Sequence, residues 1–556
     1  MQKAIQSDVL VIGGGLAGIV TAIECLRAGK TVTLVDRDTP ERLGGLALWA
    51  FGGMALVDTP VQRRMKIKDS AEIALKDWLR FGELAEDDVL PRQWASYYVE
   101  HSRVQVYDWL TESGLSFMPA VNWVERGMQG NGNTLPRYHV VWGTSQRLMR
   151  RMIELMRQAD TGNRLTVLHD HEVTELESTN GVTVGANAIN HATGQHVQMA
   201  AQTVVLAMGG INGSLEQTRA NWIQGRPMPA SMLNGAHPYA NGKLHHRVAG
   251  LGAQMTHAGE MWNYAAGVPH PKPHFEGHGL SIIPCKSALW LNHRGERIGP
   301  EPLVVGFDTH TLCQRVAAQE KPYVWHLLNW RIAIKELALS GAEHNQRIRD
   351  HQTLMFLKET LFGNHRLVKQ MVCESRHFLV DDTLAGLAAK MNALAGTHDV
   401  HADVLQKTVD AFDANFALGD KLYNDEQIRR IEHARHWGPD KMRTCKPAPL
   451  QARGAGPFMA IQTQLITRKS LGGLQTDLQS RVLDAGGQAM EGLYCVGEAA
   501  GFGAAVVLAE NAPWRALPAR LHPDGTFCRT LHRCRARSVA GLTSRNFNNY
   551  FLETSA

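Results

Sequence analysis

The chain has 556 residues, of which 44% are hydrophobic and 20% charged, with a formal net charge of +5 at pH 7. That profile fits a folded protein of more than one domain and excludes a disordered or fibrous chain. The positive charge is local: residues 504–537 hold Arg515, Arg520, Arg529, Arg533, Arg535 and Arg537 against only Glu510 and Asp524. No nucleic acid or anionic membrane is therefore called for.

The N-terminus leads straight into a strand. It shows no signal-peptide core, and the chain has no apolar run long enough to span a bilayer, so a cytoplasmic location is expected. Cys25, Cys285, Cys313, Cys373, Cys445, Cys495, Cys528 and Cys534 form no C-x-x-C pair. Disulfide frameworks, zinc sites, dithiol centres and a haem-binding C-x-x-C-H are not expected.

Asp8 to Ile12 is a short apolar run suited to a buried parallel strand, and it enters Gly13-Gly14-Gly15-Leu16-Ala17-Gly18 directly. In this G-x-G-x-x-G turn, Gly13 allows the tight bend, Gly15 lets backbone approach a pyrophosphate, and Gly18 lets the next helix pack on the strand. The helix N-terminus then faces the phosphates. A second strand, Thr31 to Val35, ends at Asp36, whose carboxylate can accept ribose hydroxyls. Strand, helix, strand and terminal acid in register point to a dinucleotide.

Features further along separate FAD from NAD. Leu43-Gly44-Gly45-Leu46-Ala47 and Phe51-Gly52-Gly53-Met54 offer side-chain-free ground for a flat ring system. Ala201 to Gly210 reads as a strand ending in Gly209-Gly210, and Gly492 to Gly501 as a strand running into a Gly497-Glu498 turn. This last segment resembles the closing element of glutathione-reductase-type FAD proteins. With Ile466 to Asp477, Pro136 to His139, Trp142 to Thr144, Met261 to Gly267 and Lys286 to Trp290, the set resembles the fumarate reductase/succinate dehydrogenase flavoprotein superfamily. Within it, the chain is similar to the FAD-binding dehydrogenases related to 3-ketosteroid Δ1-dehydrogenase.

The resemblance implies an α/β fold: a Rossmann-like FAD domain of glutathione-reductase type, with an inserted α+β cap that covers the substrate. The FAD domain is expected from residues 1–270 and 441–556 and the cap from 271–440, where Asp403 to Leu418 has a helical pattern. The implied FAD, held non-covalently, would touch Gly13, Gly15, Leu16, Ala17, Gly18, Asp36, Arg37, Gly44, Gly45, Leu46, Ala47, Gly53, Val173, Ala207, Gly209, Gly210, Gly497 and Glu498. The implied chemistry is hydride transfer between flavin N5 and a CH–CH unit beside a carbonyl, in either direction, with a protein group moving the proton. The substrate is a small molecule, and the sequence names no electron donor or acceptor. A pyridine-nucleotide-disulfide reductase would need a second glycine fingerprint and a reactive cysteine pair, and the chain has neither.

Four residues are catalytic candidates. Arg297, in a Gly-x-Arg stretch, resembles the substrate-side arginines of fumarate reductases, though a charged surface turn is the common alternative. Lys469 stands where those enzymes carry a substrate-binding histidine, which argues against a dicarboxylate and for a ketone. Arg468 and Lys469 could polarise an enolate or pair at a domain seam. Tyr264 could donate a proton as tyrosines of the steroid dehydrogenases do, or simply pack. His270, His274 and His278 recur every fourth residue, but Pro269, Pro271 and Pro273 exclude the helix that would align them, so no metal is expected.

From Ala504 to Arg535 the family pattern vanishes. Shifted by two bases, codons for Ala504 to Ala516 can restore a glycine-rich run; shifted by one, those for Leu517 to Arg535 can read through to an in-frame Arg537. Residues 504–535 therefore read as frame-shifted. If they stand as written, weak or absent FAD binding is expected, and a non-catalytic flavoprotein becomes the rival reading.

Overall fold

The structure is a computed structural model that describes residues 4–419 and 422–501. The expectation of a shifted frame over 504–535 lies outside the described residues.

The strand Ile5–Ile12 is buried along Val9 to Ile12, as its apolar run dictates. It pairs in parallel with Val32–Val35 on one side and His196–Leu206 on the other. Leu165–Leu168 extends the sheet beyond Val32–Val35, and Ala489–Cys495 extends it beyond His196–Leu206, both in parallel. The sheet is thus made from both ends of the described chain. An antiparallel hairpin, His171–Thr179 with Val182–Asn190, leans on the edge of His196–Leu206.

Two helices cover one face. Leu16–Arg27 buries Ile19, Val20, Ile23 and Leu26. Thr144–Ala159 places Leu148, Met149, Met152, Leu155 and Met156 at spacings of one, three and four residues toward the sheet, with its arginines outward. Such burial contributes about 1.5–3 kcal/mol per large side chain.

The second sheet is built around the long strand Phe458–Ser470, which pairs antiparallel with Met261–Pro269, Val324–Asn329 and Phe378–Asp381. It thereby draws strands from ahead of residue 271 and from beyond 440. Trp290 and Trp325 are its largest buried side chains. Helices pack around it; Ala402–Asp413 buries Leu405, Val409 and Phe412, the stripe expected from the Asp403 to Leu418 pattern. Among the described residues no helix is long and apolar enough to cross a membrane.

A buried ion network stands at the start of the strand Tyr138–Val140. Arg137, 2% exposed, gives Nε and Nη2 to the two oxygens of Asp69 at 2.8 Å each. Its Nη1 donates to Asp77 at 2.6 Å and to Asn133 at 3.2 Å. This holds the strand Tyr138–Val140 against Gly53–Ala55.

Candidate functional site

At the carboxyl ends of Ile5–Ile12, Val32–Val35 and His196–Leu206 opens a cavity of about 760 Å³. Ligands of open α/β sheets sit at such strand ends. Of the residues expected at the cofactor, all but Gly18 line this cavity.

The glycine turn shows why. A Cβ on Gly15 would meet nothing within 4 Å, so the turn presents bare backbone to the cavity, whereas one on Gly18 would lie 1.9 Å from the Gly13 carbonyl oxygen. Gly18 is therefore a packing residue beneath the site. Gly44 N donates to Gly14 O at 3.0 Å, which pins the Leu43 to Ala47 loop against the turn. Asp36 accepts from Gly14 N at 2.5 Å and from Asp38 N at 2.8 Å. Burial pushes its carboxyl upward, partly offset by those donors. Each oxygen keeps acceptor capacity for a ribose hydroxyl.

The far wall comes from distant chain. An added Cβ on Gly210 would lie 2.0 Å from Ser470 Oγ and 2.4 Å from Glu498 Oε1, so this glycine lets three segments meet. Ser470 N donates to Glu498 Oε1 at 3.0 Å, and Ile211 N to Ser470 Oγ at 3.2 Å. Burial raises the Glu498 carboxyl, and the positive charge of Lys469 opposes the shift. Exposed backbone, helix N-terminus and these acids fit an FAD. We expect Gly18→Ala to cost about 1–3 kcal/mol through overpacking and to shed flavin; unchanged flavin content on purification would sink this.

Among the catalytic candidates, Tyr264, Arg468 and Lys469 all line the cavity. They lie on the paired strands Met261–Pro269 and Phe458–Ser470, with Trp262 opposite Lys469 and Tyr264 opposite Ile466. The Arg468 guanidinium stands 5.6 Å from the Tyr264 ring centroid and donates to Gly235 O at 2.8 Å. Arg297 is elsewhere: its Nη1 donates to Asp425 at 2.5 Å and its Nη2 to Gln427 at 2.7 Å. It is not among the cavity residues, because this pair draws it into the cap.

Sequence reasoning missed a polar group on the same cavity: Lys286, Glu336, Asp440 and Arg443. Lys286 Nζ lies 3.2 Å from Asp440 Oδ1, and Arg126 also pairs with Asp440. Glu336 accepts from Ser287 N at 3.0 Å, from Ser287 Oγ at 2.6 Å and from Cys445 N at 2.7 Å. Lys286 stood within a recognised stretch, but nothing local marked its partner.

The prolines do keep His270 to His278 from forming a helix, yet they do not keep the three histidines apart. His270 follows the strand Met261–Pro269 and His278 precedes Gly279–Ile283, and these strands form a hairpin with Pro269 opposite Gly279. One ring nitrogen of each of His270, His274 and His278 lies within 4.8 Å of the others.

The chain matches the family described as FAD binding domain over residues 8–511. It is 35% identical over 517 residues to a KsdD-like steroid dehydrogenase of Mycolicibacterium smegmatis, covering 89% of this chain and 93% of that protein. In fold it resembles the 3-ketosteroid Δ1-dehydrogenase of Sterolibacterium denitrificans, with a TM-score of 0.62 at 17% identity over 96% of this chain and 100% of that one. A flavocytochrome c3 fumarate reductase gives a TM-score of 0.62 at 20% identity over 93% of this chain and 76% of that one. The chain therefore belongs to this FAD-binding family, alongside the KsdD-like steroid dehydrogenases, and is an FAD-dependent oxidoreductase.

Proposed function

We propose that the protein dehydrogenates a CH–CH unit beside the carbonyl of an apolar ketone, of the 3-ketosteroid or enone kind. The observation that carries this is the convergence of Tyr264, Arg468 and Lys469 on the cavity that also holds the glycine turn. Bound FAD supplies the hydride acceptor at flavin N5. Arg468 and Lys469 are placed to stabilise negative charge growing on the substrate carbonyl oxygen as the neighbouring carbon gives up its proton. Tyr264 is the candidate for moving a proton at that end. Trp262, Ile282 and Leu339 also line the cavity and suit an apolar ring system better than a dicarboxylate. The relatives named steroid dehydrogenases support the substrate class.

In this reading the part inserted over 271–440 shelters the substrate, and the FAD is held non-covalently through the glycine turn, Asp36 and Glu498. The free thiols of Cys25, Cys285 and Cys495, all buried, support a reducing, cytoplasmic setting. The family match over residues 8–511 does not favour a non-catalytic flavoprotein.

The test is anaerobic mixing of purified yellow protein with 3-ketosteroids, enones and small dicarboxylates. Bleaching of the visible flavin band by a saturated ketone is expected, with none by succinate. Bleaching by succinate alone would reverse the assignment, and reoxidation of dithionite-reduced protein by enones alone would reverse the direction. Acid denaturation of the same sample should release the flavin into the supernatant; flavin retained on the pellet would show a covalent bond.

A further inference from the structure

At the mouth of the Met261–Pro269 and Gly279–Ile283 hairpin, several imidazoles gather on one carboxylate. His270 Nε2 lies 2.5 Å from Glu343 Oε1, His344 Nε2 lies 3.3 Å from the same oxygen, and His274 Nε2 lies 3.6 Å from Oε2. His344 is the least well served: it is 7% exposed, meets the carboxylate only through that 3.3 Å Nε2 contact, and its Nδ1 has no hydrogen-bond partner. A buried polar group without a partner is costly unless something else meets it.

The surroundings hold the rings in place from behind. His270 Nδ1 accepts from Lys272 N at 3.0 Å, so the ring proton sits on Nε2 toward Glu343; a cation at Nε2 displaces that proton and gives up the Lys272 bond. His278 stacks on His270 with ring centroids 4.4 Å apart, and its Nδ1 accepts from His274 N at 3.2 Å. His274 stacks flat on Trp49 at 4.9 Å. Trp49 in turn lies 5.2 Å from the ring of His237, which lines the cofactor cavity. This stacking holds the planes of His270, His274 and His278 beside one another.

We propose that His270, Glu343, His344 and His274 form a binding site for a zinc-class divalent transition ion. The ligand atoms of His270, Glu343 and His344 lie within 4.8 Å of one another, and side-chain rotation draws them to the roughly 2.0–2.2 Å that zinc requires. Three imidazoles and one carboxylate are a borderline-soft nitrogen and oxygen set, which suits zinc over calcium or magnesium. The ion replaces protons shared among the imidazoles and Glu343, and it ties the hairpin and the Glu343 segment together beside Trp49. This is a structural site, separate from the proposed hydride transfer.

The experiment uses the full chain, stripped with a chelator and titrated with zinc against a chromophoric chelator; cobalt is used in parallel for its visible bands. One zinc per chain is expected, and Glu343→Gln and His344→Ala should each weaken it about 100-fold. His191→Ala, an exposed histidine paired with Glu172, should leave the affinity unchanged. If either variant loses its circular dichroism, His274→Ala, with a side chain 33% exposed, provides the same test, with a loss of at least about tenfold. Wild type that fails to compete with the chelator, or folded variants that bind zinc as tightly as wild type, would overturn the proposal. Flavin content and turnover are not read, so failure here is distinct from failure of the proposed reaction.

Discussion

Tyr264→Phe is expected to lower kcat by about 100- to 10,000-fold, the usual contribution of a positioned proton-transfer group, while flavin content and KM change little. The phenol stands on the strand Met261–Pro269 and lines the cavity, with the Arg468 guanidinium 5.6 Å from its ring centroid. Removing one oxygen leaves that packing intact, so a loss confined to kcat reports proton movement. Steady-state kinetics on a ketone that bleaches the flavin would check this, with the pH profile of kcat as a second readout. A phenylalanine variant with wild-type kcat would return Tyr264 to the role of a packed aromatic. Lys469→Met should act on kcat and KM together, because the charge it removes would meet the carbonyl in ground and transition states alike.

Arg137→Ala should cost about 3–5 kcal/mol of stability, because it strands the buried Asp69 carboxylate and removes one of the two guanidinium groups that serve Asp77. Asp69 and Asp77 have side chains 0% and 2% exposed. Without Arg137, Asp69 must be protonated or draw in water, while Asp77 keeps Arg80 at 3.0 Å. The apparent melting temperature should fall on the order of 10 °C, as followed by flavin fluorescence during heating. Asp77→Asn should cost less, since Asp69 still pairs bidentately with Arg137. A change within about 0.5 kcal/mol for Arg137→Ala, the range of an ordinary surface substitution, would show that the network contributes nothing. The strand that carries Tyr138 packs on Gly53, so flavin loss should accompany unfolding rather than precede it.

The residues that local pattern could place have neighbours close in the chain, whereas Gly209, Gly210, Gly497 and Glu498, which meet across the chain, were reached through the family resemblance. Gly13 to Gly18 and Asp36 belong to one strand-helix-strand unit, whose spacing is set by strand length and helix pitch. The same holds for Ala402–Asp413, whose period of 3.6 is written in Leu405, Val409 and Phe412. Arg297 was misplaced because a Gly-x-Arg stretch does not say which acid it will meet, and Asp425 lies far along the chain. Lys286, Glu336, Asp440 and Arg443 were not legible for the same reason. Asp440 and Arg443 share the helix Gly438–Arg443, but Glu336 ends the helix Trp330–Glu336 and Lys286 precedes the strand Leu289–Leu291, so three distant segments meet at one cavity. The strands of that sheet were hidden too: Val324–Asn329 is buried at all six positions, so it lacks the alternation that marks a half-exposed strand. The histidines were misjudged by asking only about a helix. A hairpin places residues eight apart side by side just as a helix does those four apart, and Pro269 opposite Gly279 is that register.

The parallel sheet places Ile5–Ile12, from near the start of the described chain, and Ala489–Cys495, from near its end, on either side of His196–Leu206. On a ribosome adding about 5–20 residues per second, the two are born roughly half a minute to a minute and a half apart. During that interval the glycine turn exists without Glu498, and an edge of the sheet stays unpaired. Until Glu498 is made the cofactor site is incomplete, and the nascent protein has to be kept from pairing that open edge with another copy of itself.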